Sequence, residues 1–295
     1  MEHTFDDVYN LCVSGKRKRA LTDDEVEINA FLRGCHRIFQ IHAAYGLYYL
    51  YKEESVSRGY VKKELISLYE DKLVGKERAG RYYYELLLAR TYADKCQICF
   101  HGSAETLDHY LPKEIYPSLS ISHYNLYPAC HICNGKKSQW CPSIPEQQLI
   151  HPLFDNFYKD VWLHAEFDEE NKRIVFMPNT LRFREGTCEY ERLKLHLNKH
   201  DILKTYEELA MRKIQEIVTT SIRYNLSLQR VVSTEIDVLI DNFNKQKESN
   251  SLYTFEHWKY VTCMALLKSK FFMINGNNIF GTQNVYSAPV HRFQG

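Results

Sequence analysis

Apolar residues recur at spacings of three and four along much of the chain, which is the spacing of one face of an α-helix. Residues 22–25, Thr-Asp-Asp-Glu, have the form of a helix-capping box, and the apolar positions of residues 26–45 follow directly. A second helical pattern covers residues 61–73, is interrupted by a glycine-containing segment, and resumes over residues 83–90. The pattern therefore predicts an N-terminal helical region over residues 1–93, with a buried face on its long helix.

The helical spacing disappears over residues 94–142, where short segments containing proline, tyrosine and histidine take its place. This region is predicted to be a compact metal module. Residues 143–295 are predicted to form a third region that begins with a β-hairpin, because residues 161–167 alternate between apolar and polar types and a turn sequence separates them from a second strand at 173–177.

Helical spacing returns towards the C-terminus in three segments, residues 202–218, 236–243 and 255–267. Residues 275–295 carry neither period and are expected to be irregular. The fold class predicted from these patterns is mainly α, and α+β overall.

The N-terminal region is unusually rich in tyrosine. The residues concerned are Tyr45, Tyr48, Tyr49, Tyr51, Tyr82, Tyr83 and Tyr84. Their rings can pack between helices with the hydroxyl groups in water, or they can form a surface for a partner or for base stacking.

Composition and charge narrow the class of protein. The chain has 295 residues, 44% hydrophobic and 25% charged, which is typical of a globular protein and excludes a disordered or collagen-like chain. The net charge of +1 provides no global attraction for nucleic acid. The acidic start Met1–Asp7 lacks a secretory signal, and no uninterrupted apolar run is long enough to span a bilayer, so a cytoplasmic protein without membrane association is expected.

Four of the nine cysteines form two C-x-x-C pairs, Cys96 with Cys99 and Cys130 with Cys133. Two such pairs supply four thiolates, the ligand set of a tetrahedral structural Zn²⁺ site. Four unrelated packing cysteines rarely have this spacing, and a redox pair normally stands alone at a helix start in a βαβ unit. The remaining five, Cys12, Cys35, Cys141, Cys188 and Cys263, are expected to be packing residues.

Between and after the two pairs the sequence reads Asp108-His109-x-x-Pro112, then Asn125, then Asn134-x-x-Lys137. Over residues 95–142 this order resembles the HNH, or ββα-metal, endonucleases in a version with zinc knuckles. The resemblance implies a small ββα module in which Asp108 and His109 lie on a β-hairpin and Asn134 lies at the start of a helix. The sequence departs from the family at Asn134, a position often occupied by histidine, although asparagine also serves there in some members.

Phosphodiester hydrolysis needs a nucleophilic water, a base and a cation that offsets charge on the phosphate. His109 can be the base, since a neutral imidazole accepts a proton near neutral pH. Asp108 and Asn134 are oxygen donors suited to Mg²⁺ or Mn²⁺. By the resemblance, Asn125 would hold the loop or the imidazole in place, although an asparagine can equally close a turn. Lys137, one helical turn after Asn134, would contact a phosphate oxygen, although it can also be an ordinary solvated charge.

Three further features leave alternatives open. Residues 151–155, His-Pro-Leu-Phe-Asp, resemble a segment that follows the nuclease motif in a bacterial HNH group of phage-defence systems of the Septu and retron-linked types, or they form a simple domain junction. Residues 16–19, Lys-Arg-Lys-Arg, can contact phosphate, act as a nuclear signal or form a solvated loop. The basic residues Arg182, Arg184, Arg192 and Lys194 lie among glutamates and are expected on a mixed-charge surface.

These observations predict a metal-dependent HNH endonuclease that cuts DNA, embedded in a helical scaffold and acting in anti-phage defence. The module of residues 95–141 carries a net charge of only +1, from four lysines against three acidic residues. We therefore expect activity to depend on a protein partner, and the resemblance to the defence-system group implies an ATPase. Two alternatives stand beside this prediction: an inactive zinc-stabilised module that binds nucleic acid or protein, and an RNA-cutting nuclease.

Overall fold

The computed structural model describes residues 4–14, 20–55, 57–157, 161–247 and 255–281. The helices and strands follow the predicted class, mainly α with two small antiparallel hairpins. Within these ranges, no helix is both long and apolar enough to cross a membrane. The basic run at residues 16–19 lies outside the described residues.

The N-terminal region is helical, as predicted. Its helices are α1 (Phe5–Ser14), α2 (Asp23–Ala44), α3 (Lys62–Ser67), which continues as a π-helix over Leu68–Leu73, and α4 (Arg81–Leu88). The capping box is present, since the Thr22 hydroxyl accepts from the Glu25 amide and the Glu25 carboxylate accepts from the Thr22 amide. The buried face of α2 agrees with the predicted apolar face only in part. Leu32 and Phe39 are buried, but Val26 and Ile38, which belong to the predicted face, are about half exposed.

Most of the tyrosines in this region serve packing. Tyr48, Tyr51, Tyr83 and Tyr84 are buried, whereas Tyr45 and Tyr82 are exposed. Of the two interpretations offered by the sequence, packing between helices therefore accounts for four of these rings.

The predicted metal module contains β1 (Thr106–His109), β2 (Leu126–Ala129) and α5 (His131–Lys137). The two strands are antiparallel, with Asp108 opposite Tyr127 and His109 opposite Leu126. Leu107, Ile121 and Leu126 of this region belong to the same hydrophobic core as residues of α1, α2, α3 and α4. The short ββα element is thus supported by the N-terminal helices, because so small a unit buries little apolar surface alone.

The chain divides into two compact units. The first takes its described residues from Met1–Trp162, Thr180–Ile202 and Gln246–Phe255, and the second from Leu163–Asn179, Leu203–Lys245 and Glu256–Gly295. The first unit contains the module and also α6 (Cys188–Lys199). The division at residues 93 and 142 stays a prediction.

The second unit contains the predicted hairpin, β3 (Leu163–Asp168) with β4 (Arg173–Pro178). The helices predicted after it are α7 (Ile202–Tyr224), α8 (Leu228–Lys247) and α9 (His257–Lys268).

A further helix, α10 (Lys270–Phe280), shows that the expectation of irregular structure from residue 275 was wrong for residues 275–280. Phe272 and Phe280 pack against Phe167, with ring centroids 5.5 and 6.4 Å apart, and this packing holds the helix. Gly276 lies within this helix, and a side chain there would approach Leu228 to 2.9 Å.

Candidate metal centre and active-site cleft

The four predicted zinc ligands converge. The sulfur atoms of Cys96, Cys99, Cys130 and Cys133 all lie within 4.8 Å of one another, and all four residues are buried. A tetrahedral zinc ion with Zn–S bonds of about 2.3 Å separates its sulfurs by about 3.8 Å, so the cluster has the size that zinc requires. The cysteines that the sequence assigned to packing are buried or half-buried: Cys12, Cys35, Cys141, Cys188 and Cys263.

Backbone amides surround the cluster and favour thiolates. The amides of Ile98, Gly102 and Cys133 point at the sulfurs of Cys96, Cys99 and Cys130, at 3.4 to 3.5 Å. Hydrogen bonds from Cys133 and the neighbouring thiols lower the pKa of the Cys130 thiol. These features fit a structural zinc site.

The cluster also fixes local structure. The thiol of Cys130 is the N-cap of α5, so the second knuckle starts the helix that carries Asn134. A side chain at Gly102 would meet both Cβ and Sγ of Cys130 at 3.2 Å, which explains the glycine at this position.

Beside the cluster, Asp108, His109, Asn134 and Lys137 line one cleft of about 370 Å³. Asp108 and His109 are consecutive residues of β1, so their side chains point to opposite faces of the strand. Both can still border the same cleft, because the strand ends at His109. The structure therefore brings together four of the five predicted residues of the reactive centre.

Asp108 is almost fully buried and is bound on both carboxylate oxygens. Oδ1 lies 3.3 Å from the ammonium of Lys137, and Oδ2 accepts a hydrogen bond of 3.2 Å from the Tyr127 hydroxyl. Burial raises the pKa of Asp108, an effect that the charge of Lys137 opposes. The carboxylate is thus held in one orientation at the wall of the cleft.

His109 is oriented through one ring nitrogen. Its Nε2 lies 2.8 Å from the carbonyl oxygen of Ser120, and because a carbonyl only accepts, Nε2 must carry the hydrogen. In the neutral ring Nδ1 is then the proton acceptor. Burial lowers the pKa of His109 to about 3, so the imidazole is neutral near pH 7. The edge of the Tyr69 ring packs against it, with centroids 4.4 Å apart.

Asn134 is oriented by Thr106. The Thr106 hydroxyl donates its hydrogen to the Ala129 carbonyl, at 3.0 Å, so towards Asn134 it can only accept. The amide nitrogen of Asn134 donates to this hydroxyl at 3.2 Å, which turns Oδ1 away from Thr106. Asn134 Oδ1 and the Asp108 carboxylate, both bordering the cleft, are oxygen donors of the type that Mg²⁺ and Mn²⁺ prefer.

Lys137 and Asn125 occupy positions that the motif alone did not specify. The side chain of Lys137 is 1% exposed, and its ammonium donates to the His109 carbonyl as well as to Asp108. Its ammonium therefore faces protein acceptors, so the alternative of an ordinary solvated charge was wrong, whereas the phosphate contact stays a prediction. Asn125 bonds the backbone of Leu111 in both directions, at 2.8 and 2.9 Å, which corresponds to the loop-holding role.

The segment at residues 151–155 belongs to the same unit, with its first residue buried and the other four half-buried. His151 is fully buried, accepts from the Leu153 amide and bonds the Tyr124 carbonyl. Asp155 forms an ion pair with Arg192, at 2.6 Å. The expectation that Arg192 lies on a mixed-charge surface was wrong, because its guanidinium is buried and donates to Asp155 and to backbone carbonyls.

Sequence reasoning missed several residues that orient the site, namely Thr106, Tyr127, Ser120 and Tyr69. Tyr127 follows from the strand register, which places it opposite Asp108, but that register is not visible in a motif. Ser120 acts through its backbone carbonyl, which every residue possesses, so its type carries no signal.

Comparison with known proteins finds two relatives that match part of the chain. Protein ea31 of Escherichia phage lambda is 36% identical over 110 residues, 36% of this chain and 37% of ea31. Septu protein PtuB of Bacillus thuringiensis is 33% identical over 81 residues, 26% of this chain and 31% of PtuB. The chain thus matches about a third of the length of each relative.

No family model and no solved structure matches the chain. The similarity to a Septu protein and the four-cysteine cluster agree with the resemblance seen in the sequence.

Proposed function

We propose that this protein is an HNH endonuclease that hydrolyses phosphodiester bonds in DNA with Mg²⁺ or Mn²⁺, around a module stabilised by Zn²⁺. One observation carries the proposal: a neutral histidine with one nitrogen fixed lines the same cleft as two oriented oxygen donors, beside a four-thiol cluster. A module that only binds has no chemical need for this combination.

His109 is the general base. Ser120 holds Nε2–H, so Nδ1 takes the proton from the attacking water. A histidine with a pKa of about 3 is a weak base. An anionic phosphate placed beside the ring favours the imidazolium and raises that pKa, so substrate binding itself activates the base.

Asp108 and Asn134 are the residues that would hold the divalent cation. The cation, when bound, offsets negative charge on the phosphate and on the leaving oxygen. Tyr127 and Thr106 orient these donors, and Asn125 holds the loop that carries the Ser120 carbonyl.

Lys137 balances the charge of Asp108. Its contact with a phosphate requires that the ammonium leave Asp108. Asp108 would favour this departure when it holds the divalent cation, because two positive charges next to one carboxylate repel each other.

We further propose that the enzyme acts in anti-phage defence together with a protein partner, an ATPase subunit by the resemblance. The similarity to Septu protein PtuB supports the defence role. The net charge of +1 over the module supports the need for a partner, because nonspecific affinity for DNA comes from many phosphate contacts.

The test is cleavage by the purified chain, alone and with the protein encoded beside its gene. Supercoiled plasmid and a long RNA are incubated with Mg²⁺, Mn²⁺ or EDTA. We expect plasmid cutting that needs metal and increases with the partner. Cutting of RNA alone would make the protein a ribonuclease, and no cutting under any condition would favour the inactive binding module. Full activity of the isolated chain at physiological salt would contradict the need for a partner.

A further inference from the structure

Helix α6 places two buried histidines against the two cysteine knuckles, which are the C-x-x-C turns at residues 96–99 and 130–133. Nε2 of His196 lies 3.4 Å from the carbonyl oxygen of Ile98, inside the first knuckle. His200 follows four residues later and is the C-cap of the helix. Its Nδ1 lies 3.2 Å from the carbonyl oxygen of Cys133, the last cysteine of the second knuckle. Residues four apart share one helix face, so one face of α6 reaches both knuckles.

The hydrogen-bond partners determine which ring nitrogen of each histidine carries the hydrogen. The Ile150 amide donates to Nδ1 of His196 at 3.3 Å, so the hydrogen of the neutral ring is on Nε2, where it is donated to Ile98. The Cys133 carbonyl only accepts, so His200 donates from Nδ1. Both rings therefore act as donors to the knuckle backbone.

Nε2 of His200 is buried and finds no hydrogen-bond partner among the described residues. A buried nitrogen without a partner reduces stability, so packing alone favours an apolar residue at this position. The bond from Nδ1 to Cys133 is the contact that an apolar residue cannot make.

Further contacts attach α6 to the region of the second knuckle. Lys136, three residues beyond Cys133, donates to the Asp201 carboxylate at 2.8 Å and to the His200 carbonyl at 3.4 Å. At the other end of the helix, Arg192 donates to the carbonyls of Gln148 and Leu149, at 3.0 and 3.1 Å. The helix is thus bonded along its length to the segment that follows the module.

We propose that His196 and His200 are positioning residues for the zinc-binding cysteines, so that α6 is a functional part of the metal module. Each imidazole holds one knuckle in the geometry that binds zinc, and release of the ion requires a knuckle to move away. The inference rests on the assignment of the four-cysteine cluster as a zinc site. Groups that support metal ligands in this way typically change metal affinity by about 10–100-fold.

The experiment measures zinc transfer from the full-length protein to a chromogenic chelator. His200→Phe keeps a ring of similar size and removes the donor, and we expect zinc release about 10-fold faster. His200→Asn places an amide nitrogen near the position of Nδ1 and should restore a rate close to the parent's. Lys194→Ala, on an exposed position of the same helix, is the matched control and should leave the rate unchanged.

His196→Phe with His196→Gln forms a second, independent pair, in which the glutamine amide replaces Nε2. If His200→Phe does not fold, this second pair of variants provides the test instead. A folded phenylalanine variant that keeps the parental release rate would overturn the proposal, even if its melting temperature is lower. If the parental protein is folded but contains no zinc, the assignment of the cluster as a zinc site is refuted instead. Neither conclusion depends on nuclease activity, because only zinc and folding are measured.

Discussion

The ammonium of Lys137 lies 3.3 Å from Oδ1 of Asp108, and both side chains are almost completely removed from solvent. Such a pair exchanges the hydration of two charges for their mutual attraction and a few hydrogen bonds, so its net contribution to stability is small. Loss of one partner, in contrast, leaves a buried charge without its counter-ion. The two residues also belong to different elements of the ββα unit, β1 and α5. Their pairing therefore couples the hairpin to the helix.

We expect Lys137→Met to lower the free energy of unfolding by about 3 kcal/mol or more, since Asp108 would remain buried without its cation. Lys136→Met is the neighbouring control: its pair with Asp201 is partly exposed and should cost about 1 kcal/mol or less. Urea denaturation measures both. The double variant Asp108→Asn/Lys137→Met should lose less than the sum of its single variants. Equal stability of the two lysine variants would contradict this account.

His109→Ala should reduce the rate of plasmid cleavage by about 10²–10⁴-fold, because it removes the proton acceptor. Zinc content should stay at the parental value, since the thiols are untouched. His131→Ala is the control, a largely exposed histidine of the same module that should cut at the parental rate. Cleavage rates are measured beside melting curves. Parental cleavage by His109→Ala would remove the base from the mechanism.

Asn134→Ala should weaken the binding of the divalent cation, because it removes one oxygen donor. The variant should cleave slowly at the Mg²⁺ concentration that suffices for the parent, and its rate should recover in part at a higher Mg²⁺ concentration. His109→Ala should not recover under the same titration, since extra metal does not replace a base. An Asn134→Ala variant with the parental dependence on Mg²⁺ would show that this residue is not a ligand.

Cys133→Ser should lose zinc, the local fold and cleavage together. Structural zinc contributes about 10–16 kcal/mol to the folding of small zinc domains, and a serine is a poor substitute for the thiolate. Cys188→Ser is the matched control, a half-buried cysteine outside the cluster that should keep zinc and activity. Elemental analysis and circular dichroism measure the two proteins. Folded, zinc-free Cys133→Ser would refute a structural role for the metal.

Local signals in the sequence were sufficient for much of this structure. The capping box at Thr22 and the spacing within each C-x-x-C pair depend on residues close in sequence, and both are visible as short patterns. Residues whose partners lie far along the chain were not predictable in this way. Arg192 stands among glutamates in the sequence but pairs with Asp155, so its burial is set by tertiary packing.

The same limit applies to the orienting contacts of the site. Lys137 was expected near phosphate from its helical spacing to Asn134, but spacing does not tell whether a lysine turns outwards or towards Asp108. His196 and His200 lie on a helix well beyond the last cysteine, and no metal pattern includes them. Sequence thus identifies the candidate reactive groups, while the structure identifies the residues that hold them.

A pair of buried histidines in the first unit predicts how stability depends on pH. The rings of His36 and His123 lie 4.5 Å apart, and burial lowers their pKa values to about 4 and about 3. Asp6 opposes the shift of His36, while Arg90 adds to that of His123. Both rings are neutral in the folded protein, whereas the unfolded chain takes up protons below about pH 6.5. Stability is therefore complete above that pH and falls as the pH decreases towards the folded pKa values.

His123→Phe should flatten this dependence, because the unfolded chain then binds one proton fewer. The slope of the unfolding free energy between about pH 4.5 and pH 6 should decrease by about 1.4 kcal/mol per pH unit, which is the contribution of one proton. The phenylalanine ring keeps the packing against His36 and Tyr83, and it removes a nitrogen that has no hydrogen-bond partner among the described residues. Urea unfolding at several pH values measures the parent and the variant, and an unchanged slope in His123→Phe would mean that this histidine is already protonated in the folded state.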